Sequence, residues 1–187
     1  DDARARELFA AACAGGAGEG CTGRGLLELA GRGGAEDAAA ARESFQRACD
    51  LGDAGGCFAL GELRAGGIGG PRDEARARAD FEAACDARHG DACYAAGVLA
   101  YDAGRAGHED ELATRELYQL ACELESSHGC YGLGWAWHEG VGGPADDGKA
   151  LLYFQEACRA GHEPACDAAS GLLDLELDGD EAVPPPR

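Results

Sequence analysis

Residues 146–166 read DDGKALLYFQEACRAGHEPAC, and the fold follows from this stretch. Asp146 stands where a cap for a helix is expected. Behind it Ala150, Phe154 and Cys158 recur every four residues, so one face of a helix carries small, aromatic and sulfur groups together. The helical pattern stops at the Arg-Ala-Gly-His turn (159–162), and eight residues after Cys158 comes Cys166. The same text returns upstream as DEARARADFEAAC (73–85) and EDAAAARESFQRAC (36–49). An aromatic sits four residues before the cysteine each time, as Phe9, Phe45, Phe81, Tyr118 and Phe154. This is the second helix of a unit, helix B.

The ten cysteines, Cys13, Cys21, Cys49, Cys57, Cys85, Cys93, Cys122, Cys130, Cys158 and Cys166, form five pairs of spacing C-x7-C. Successive pairs begin 36, 36, 37 and 36 residues apart, a period typical of helix-turn-helix solenoid repeats. After each second cysteine follows a short apolar stretch, CFALGEL from Cys57, CYAAGVL from Cys93 and CYGLGWAW from Cys130. This is helix A. It carries Gly61, Gly97 and Gly134 at one register, and because a helical glycine costs about 1 kcal/mol relative to alanine, a neighbour is expected to pass very close there. Gly-rich turns, GGIGGP (66–71) and GVGGP (140–144), end helix A, and Asp73 and Asp146 are placed to cap helix B.

Each C-x7-C thus spans the turn between one helix B and the next helix A, where a local disulfide is geometrically natural. Loops of this size give roughly 2–3 kcal/mol per bridge in the chain-entropy model. A metal reading stays open beside it. Cys85, His89 and Cys93 form C-x3-H-x3-C, as do Cys158, His162 and Cys166, and His128 lies close to Cys130. Metal sites favour tighter C-x2-4-C clusters with four ligands, and the first two pairs lack the histidine while keeping the spacing. The spacing therefore favours five disulfides, an oxidising compartment, and loop histidines that are solvated or capping.

Composition narrows the function classes. Of 187 residues, 35 are acidic and 16 basic, a formal charge of -19, with no basic stripe to neutralise phosphates, so nucleic acid is excluded as a partner. Basic protein partners would be attracted and salt would weaken them. No apolar run reaches 18 residues, which speaks against membrane insertion, and the start at Asp1 without any methionine reads as a mature segment. Thirty-one glycines and 6% aromatics suit thin stacked layers better than one thick globular core.

These residues resemble the Sel-one-like repeat family, relatives of the tetratricopeptide repeats. Leu60-Gly61 and Leu133-Gly134 occupy that family's L-G position, and Asp146, Lys149-Ala150 and Tyr153-Phe154 match its second helix, as do Asp73, Arg76-Ala77 and Phe81. The cysteines after Ala48 and Ala157 resemble the disulfide-rich branch typified by the Helicobacter cysteine-rich proteins. The resemblance implies an all-α, right-handed solenoid of antiparallel helix pairs, with about four full repeats, capping half-repeats and five local disulfides. Residues 1–177 would form the solenoid and the acidic, Pro-rich residues 178–187 a disordered tail. Residues 1–15 look like a lone helix B and 166–177 like a lone helix A that caps the stack. Gly104–Asp110 (GRAGHED) departs from the family's turn. An exported location, periplasmic or extracellular, is implied, with the mitochondrial intermembrane space as the alternative.

Family members hold peptides or proteins on the concave helix A wall. With Cys, Leu and Gly as packing positions, the outward places of helix A give Phe58, Tyr94 and Tyr131, then Glu62, Val98 and Trp135, to which Tyr101 and His138 add. These eight are the expected partner-binding residues, each aromatic partly exposed. Trp135 and Trp137 cannot both face inward on one helix, so one of them is expected to be structural.

Catalysis finds no support in the sequence. A serine acyl-enzyme of the β-lactamase or penicillin-binding type, a label some cysteine-rich relatives carry, needs a base such as the lysine of S-x-x-K. Ser44, Ser126, Ser127 and Ser170 are followed three residues on by Arg47, Gly129, Cys130 and Leu173. No H-E-x-x-H, G-x-S-x-G or P-loop occurs, and His108-Glu109 and His138-Glu139 lack a second histidine. A binding scaffold without cofactor or metal is the expectation, with hydrolase and histidine-based metal or haem binding as alternatives.

Overall fold

The computed structural model describes residues 1–104 and 108–178, with side chains described for 1–102 and 111–174. Among the described residues there are ten helices and no strand. They fall into two compact units, Asp1–His89 and Gly90 onward. The first unit holds α1 (Asp2–Ala14), α2 (Gly18–Leu29), α3 (Ala38–Asp50), α4 (Ala54–Gly66) and α5 (Glu74–Asp86). The second holds α6 (Gly90–Gly104), α7 (His108–Glu123), α8 (Ser127–Glu139), α9 (Asp147–Arg159) and α10 (Glu163–Asp178). Even-numbered helices are helix A and odd-numbered ones helix B. Of the atypical turn expected at 104–110, Gly104 ends α6 and 108–110 open α7, while 105–107 lie outside the described residues, as do 179–187 of the expected tail, whereas Asp178 closes α10.

Acidic caps start the second helices where the sequence places them. The Asp37, Asp73 and Asp146 carboxylates accept the backbone N–H of Ala40, Arg76 and Lys149 at 2.9, 3.0 and 3.0 Å. Each such cap contributes about 1 kcal/mol. The bond from the Lys149 N–H, with the Lys149 ammonium behind it, holds the Asp146 carboxyl below the ordinary aspartate value. Among the first helices, α4 is capped by Asp53 on Gly56 N (2.7 Å) and α8 by Ser126 on Gly129 N (3.1 Å).

The helix A glycines have a specific partner. A Cβ at Gly25, Gly61, Gly97 or Gly134 would lie 2.6, 2.5, 2.7 and 2.7 Å from ring carbons of Phe45, Phe81, Tyr118 and Phe154. The close neighbour expected from sequence is therefore the ring of the following helix B, which fills the space a side chain would take. All four rings are at most 4% exposed, and each contributes on the order of 2 kcal/mol through burial. Phe9, on the first helix B, leans against Gly23 and is 38% exposed.

The Gly-rich turns follow a second rule. Gly33, Gly69 and Gly142 have φ of 76°, 70° and 71°. A Cβ there would meet the carbonyl oxygens of Asp2, Ala38 and Glu111 at 2.5, 2.2 and 2.5 Å. Each turn thus lies directly on the first turn of the helix B of the preceding repeat, which only glycine permits. An arginine from that helix secures the turn: Arg42 donates to Pro71 O at 3.2 Å, and Arg115 to the carbonyls of Val141, Ala136 and Gly143 at 2.5, 3.2 and 3.3 Å.

Candidate functional site: the helix A face

The cysteines close locally. Cys13–Cys21, Cys49–Cys57, Cys122–Cys130 and Cys158–Cys166 are bridged, with Cα–Cα separations of 4.4–4.7 Å. Cys85 and Cys93 are disulfide-bonded as well, and no free cysteine remains among the described residues. Each of those first four bridges ties the last turn of a helix B to the first turn of the next helix A, and so fixes the residue that follows the second cysteine. In three repeats that residue is aromatic.

In the first unit this residue is Phe58, half-buried on α4. Its ring tilts against Phe81 at 5.8 Å and stacks on His89 at 4.6 Å between centroids. Glu62 stands exposed one turn further on. In the second unit Tyr94 is half-buried on α6, 5.6 Å from both Tyr118 and His128. Burial pushes its phenol up to about 12, so it stays a neutral hydroxyl at any physiological pH. Val98 and Tyr101 continue that face of α6, both half-buried.

Two expected binding residues are placed differently. Tyr131 is 5% exposed and Trp135 3%, and both belong to the apolar core of the second unit. The expectation of partial exposure is corrected at these positions, where the apolar cluster of the second unit takes in both rings. Tyr131 packs on Phe154 at 5.6 Å and under His162 at 4.7 Å, while Tyr101 closes edge-on over Trp135 at 4.9 Å. Of the two tryptophans, Trp135 is thus buried. Trp137 is half-buried, with the Arg115 guanidinium 4.0 Å and the Lys149 ammonium 3.9 Å from its ring centre. His138 is half-buried and its Nδ1 lies 2.6 Å from Asp147 Oδ1.

The loop histidines also differ from expectation. Rather than standing in solvent or capping helices, His89, His128 and His162 each lie on the aromatic residue that follows a helix A cysteine. For His89 and His162 the signal was the coincidence of C-x3-H-x3-C with a Phe or Tyr one residue after the preceding unit's second cysteine, whereas His128, two residues before Cys130, falls outside that spacing. Burial, then the neighbouring His128, lowers the His162 pKa from the ordinary imidazole value. Among the described residues, Cys122, Cys130 and Glu156 are a group that could hold a metal ion by proximity. Both sulfurs are tied up in one disulfide, so no thiolate is on offer.

Ser44 donates to the buried Glu28 carboxylate at 2.6 Å and Ser126 to Asp91 at 2.6 Å. No helix among the described residues is long and apolar enough to cross a membrane.

The Sel1 repeat family model matches residues 1–16, 19–53, 54–89, 90–126 and 127–162, the last four being the α2–α3, α4–α5, α6–α7 and α8–α9 pairs. The chain belongs to the Sel1 repeat family. Its structure is similar to that of a protective antigen of uropathogenic Escherichia coli displaying an SLR fold, with TM-score 0.83, 20% identity, and 97% of this chain against 39% of that one covered. A Sel1 repeat protein of Oxalobacter formigenes matches with TM-score 0.79 and 23% identity, over 92% of this chain and 49% of that one. Helicobacter pylori cysteine-rich protein B matches with TM-score 0.55 and 27% identity, over 71% of this chain and 95% of that one. The chain thus spans less than half the length of the first two structures. A search of the curated proteins found no match. The family membership, the all-helical fold and the paired cysteines agree with the sequence reading.

Proposed function

We propose that this Sel1 repeat chain is an exported, disulfide-stapled scaffold without catalytic activity, which binds a protein or peptide partner through its helix A residues. One observation carries the reading: the aromatic locked in place behind a disulfide, Phe58 in the first unit and Tyr94 in the second, stays half-exposed although its repeat already has a buried aromatic plug. Phe58 with Glu62, and Tyr94 with Val98 and Tyr101, are the residues we assign to partner contact, with His138 at the far end of α8. Tyr131 and Trp135 support this face from beneath.

Aromatics held rigid before binding supply contact area at little entropic cost. The acid surplus of the chain favours basic partners and gives the association a salt dependence. Closed disulfides along the chain support an oxidising compartment, periplasmic or extracellular.

The test is recovery of a partner from a periplasmic extract on the immobilised, oxidised chain, followed by titration of that partner. Phe58→Ala or Tyr94→Ala should weaken binding by roughly 2 kcal/mol, with circular dichroism unchanged at the assay temperature. Full binding by both variants, together with a lowered melting temperature, would show these rings to be packing alone.

A further inference from the structure

In the first unit, the face of α3 that runs from Ala39 to Asp50 forms one wall of an open cavity of about 590 Å³. Arg64, in the last turn of α4, and Gly69, in the turn that follows, form the other. At 1.5 Å per residue the α3 wall is roughly 16 Å long. In a chain of net charge -19, the cavity gathers the guanidinium groups of Arg42, Arg47 and Arg64 against the carboxylates of Glu43 and Asp50. The repeat itself does not require this. At the place of Arg47 the other second helices carry Ala11, Ala83, Leu120 and Glu156, and at the place of Arg64 the other first helices carry Glu28, Ala100, Trp137 and Leu173.

The polar groups of the cavity are unequally engaged. Gln46 is committed on both sides, its Nε2 donating to Asp50 Oδ1 at 2.9 Å and its Oε1 accepting from Arg64 Nη2. Arg64 Nη1 holds both oxygens of Asp80 at 2.6 Å, but Arg64 Nε is buried and has no acceptor. A guanidinium carries five donors, and a buried donor is normally matched. Arg42 is half-buried and gives an N–H to Pro71 O at 3.2 Å. Arg47 is exposed and forms no ion pair with any described residue, although Glu43 stands one turn before it. The cavity therefore holds donors in search of an acceptor.

We propose that this cavity is a binding site for a carboxylate group, with Arg47 as its direct ion-pair partner and Arg64 supplying donors behind it. The site lies on a helix B and does not depend on the reading of the helix A face. The guanidinium fork takes the two oxygens of a carboxylate side by side. A carboxylate brings one negative charge, whereas a phosphate group brings about 1.5 to 2, and Glu43 and Asp50 repel the larger charge more. The exposure of Arg47 and the opposing charge of Glu43 place the affinity in the millimolar range.

Two probes separate the sources of such a group: propionate, a free small acid, and a blocked tripeptide of alanine, aspartate and alanine, an acidic side chain on extended backbone. Inorganic phosphate is the comparison. Each is titrated into the full, oxidised chain near neutral pH at constant ionic strength, and the arginine Nε–H resonances report binding. Saturable binding of a carboxylate probe, tighter than that of phosphate, is expected, with shifts at Arg47 and Arg64, and the tighter of the two probes identifies the source. Arg47→Gln should weaken that probe by about 10-fold, the loss of one charge-assisted contact, and Glu43→Gln should strengthen it roughly threefold. Both residues are exposed, so both variants fold, and effects of opposite sign cannot come from a general loss of structure. Absence of saturable binding by either carboxylate, an affinity unchanged in Arg47→Gln, or phosphate bound more tightly than both would each overturn the proposal. An Arg64 Nε–H resonance that stays in place while that of Arg47 moves would overturn the two-arginine site.

Discussion

The two units share one backbone plan and fill the same place with opposite chemistry. Seven residues after the second cysteine stand Glu28 and Arg64 in the first unit, but Ala100 and Trp137 in the second. Five residues before the next pair, helix B carries Ser44 and Asp80 against Leu117 and Tyr153. The first unit therefore buries ions. Glu28, 1% exposed, accepts from Ser44 at 2.6 Å and from Arg24 at 2.8 Å, with Arg6 at 3.6 Å. Arg64 grips both oxygens of Asp80 at 2.6 Å and reaches Gln46 as well. The second unit builds a continuous apolar cluster from Tyr118 to Leu172 instead. A solenoid joint thus demands the plug, the seat and the staple, and leaves this layer free.

The largest effect should separate an interior plug from a terminal one. Tyr118 and Phe154 are fully buried, whereas Phe9 is 38% exposed. Phe154→Ala is expected to cost about 4 kcal/mol, and Phe9→Ala about 1 kcal/mol, since most of its burial term is absent. Thermal or denaturant unfolding of the oxidised variants reads both. Equal losses would mean that the seat glycine, rather than enclosure on two sides, sets the energy of the joint.

A middle-sized effect should come from the ionic layer. Asp80→Ala leaves the buried Arg64 guanidinium without its carboxylate, and about 3 kcal/mol should be lost. Replacing the pair by Arg64→Met with Asp80→Leu imitates the second unit, and it should recover most of that loss because two desolvated charges disappear together. A double variant as unstable as the single one would show that the ions specify the packing of the first unit and are not interchangeable with apolar groups.

These differences mark what a single sequence could disclose. The plug, its seat glycine and the cysteine pair recur at fixed spacing because backbone geometry requires them. Repetition therefore made helices, joints and bridges legible from Phe45, Gly61 or Cys49 alone. The outward places of helix A were less legible. Phe58 and Tyr131 occupy the same register and make the same two ring contacts, with Phe81 and His89 and with Phe154 and His162, yet Tyr131 is buried as a member of the continuous apolar cluster of the second unit, and that cluster depends on several elements at once. The stacking of the loop histidines is illegible in the sequence for the same reason: spacing within a turn says nothing of the ring that lies across from it.

The smallest expected effect is one of pH, and it also distinguishes the layers, since only the first unit places a titrating pair there. Burial raises the Asp80 carboxyl above the ordinary aspartate value, outweighing the lowering by the Arg64 bond and charge. In the unfolded chain Asp80 returns to the ordinary value. Between these two values the folded chain binds more protons than the unfolded one, so this group makes stability fall as pH rises through that window and level off above it. Acidification from neutral into the window should therefore favour the wild type relative to Asp80→Asn, whose side chain does not titrate. The difference between the two melting temperatures, followed from pH 7 toward about pH 4, isolates this term from the charge relief that the whole acidic chain experiences. A difference that changes in the opposite direction would mean that the Arg64 pair dominates over burial, and that the ionic layer stabilises the first unit rather than being merely tolerated there.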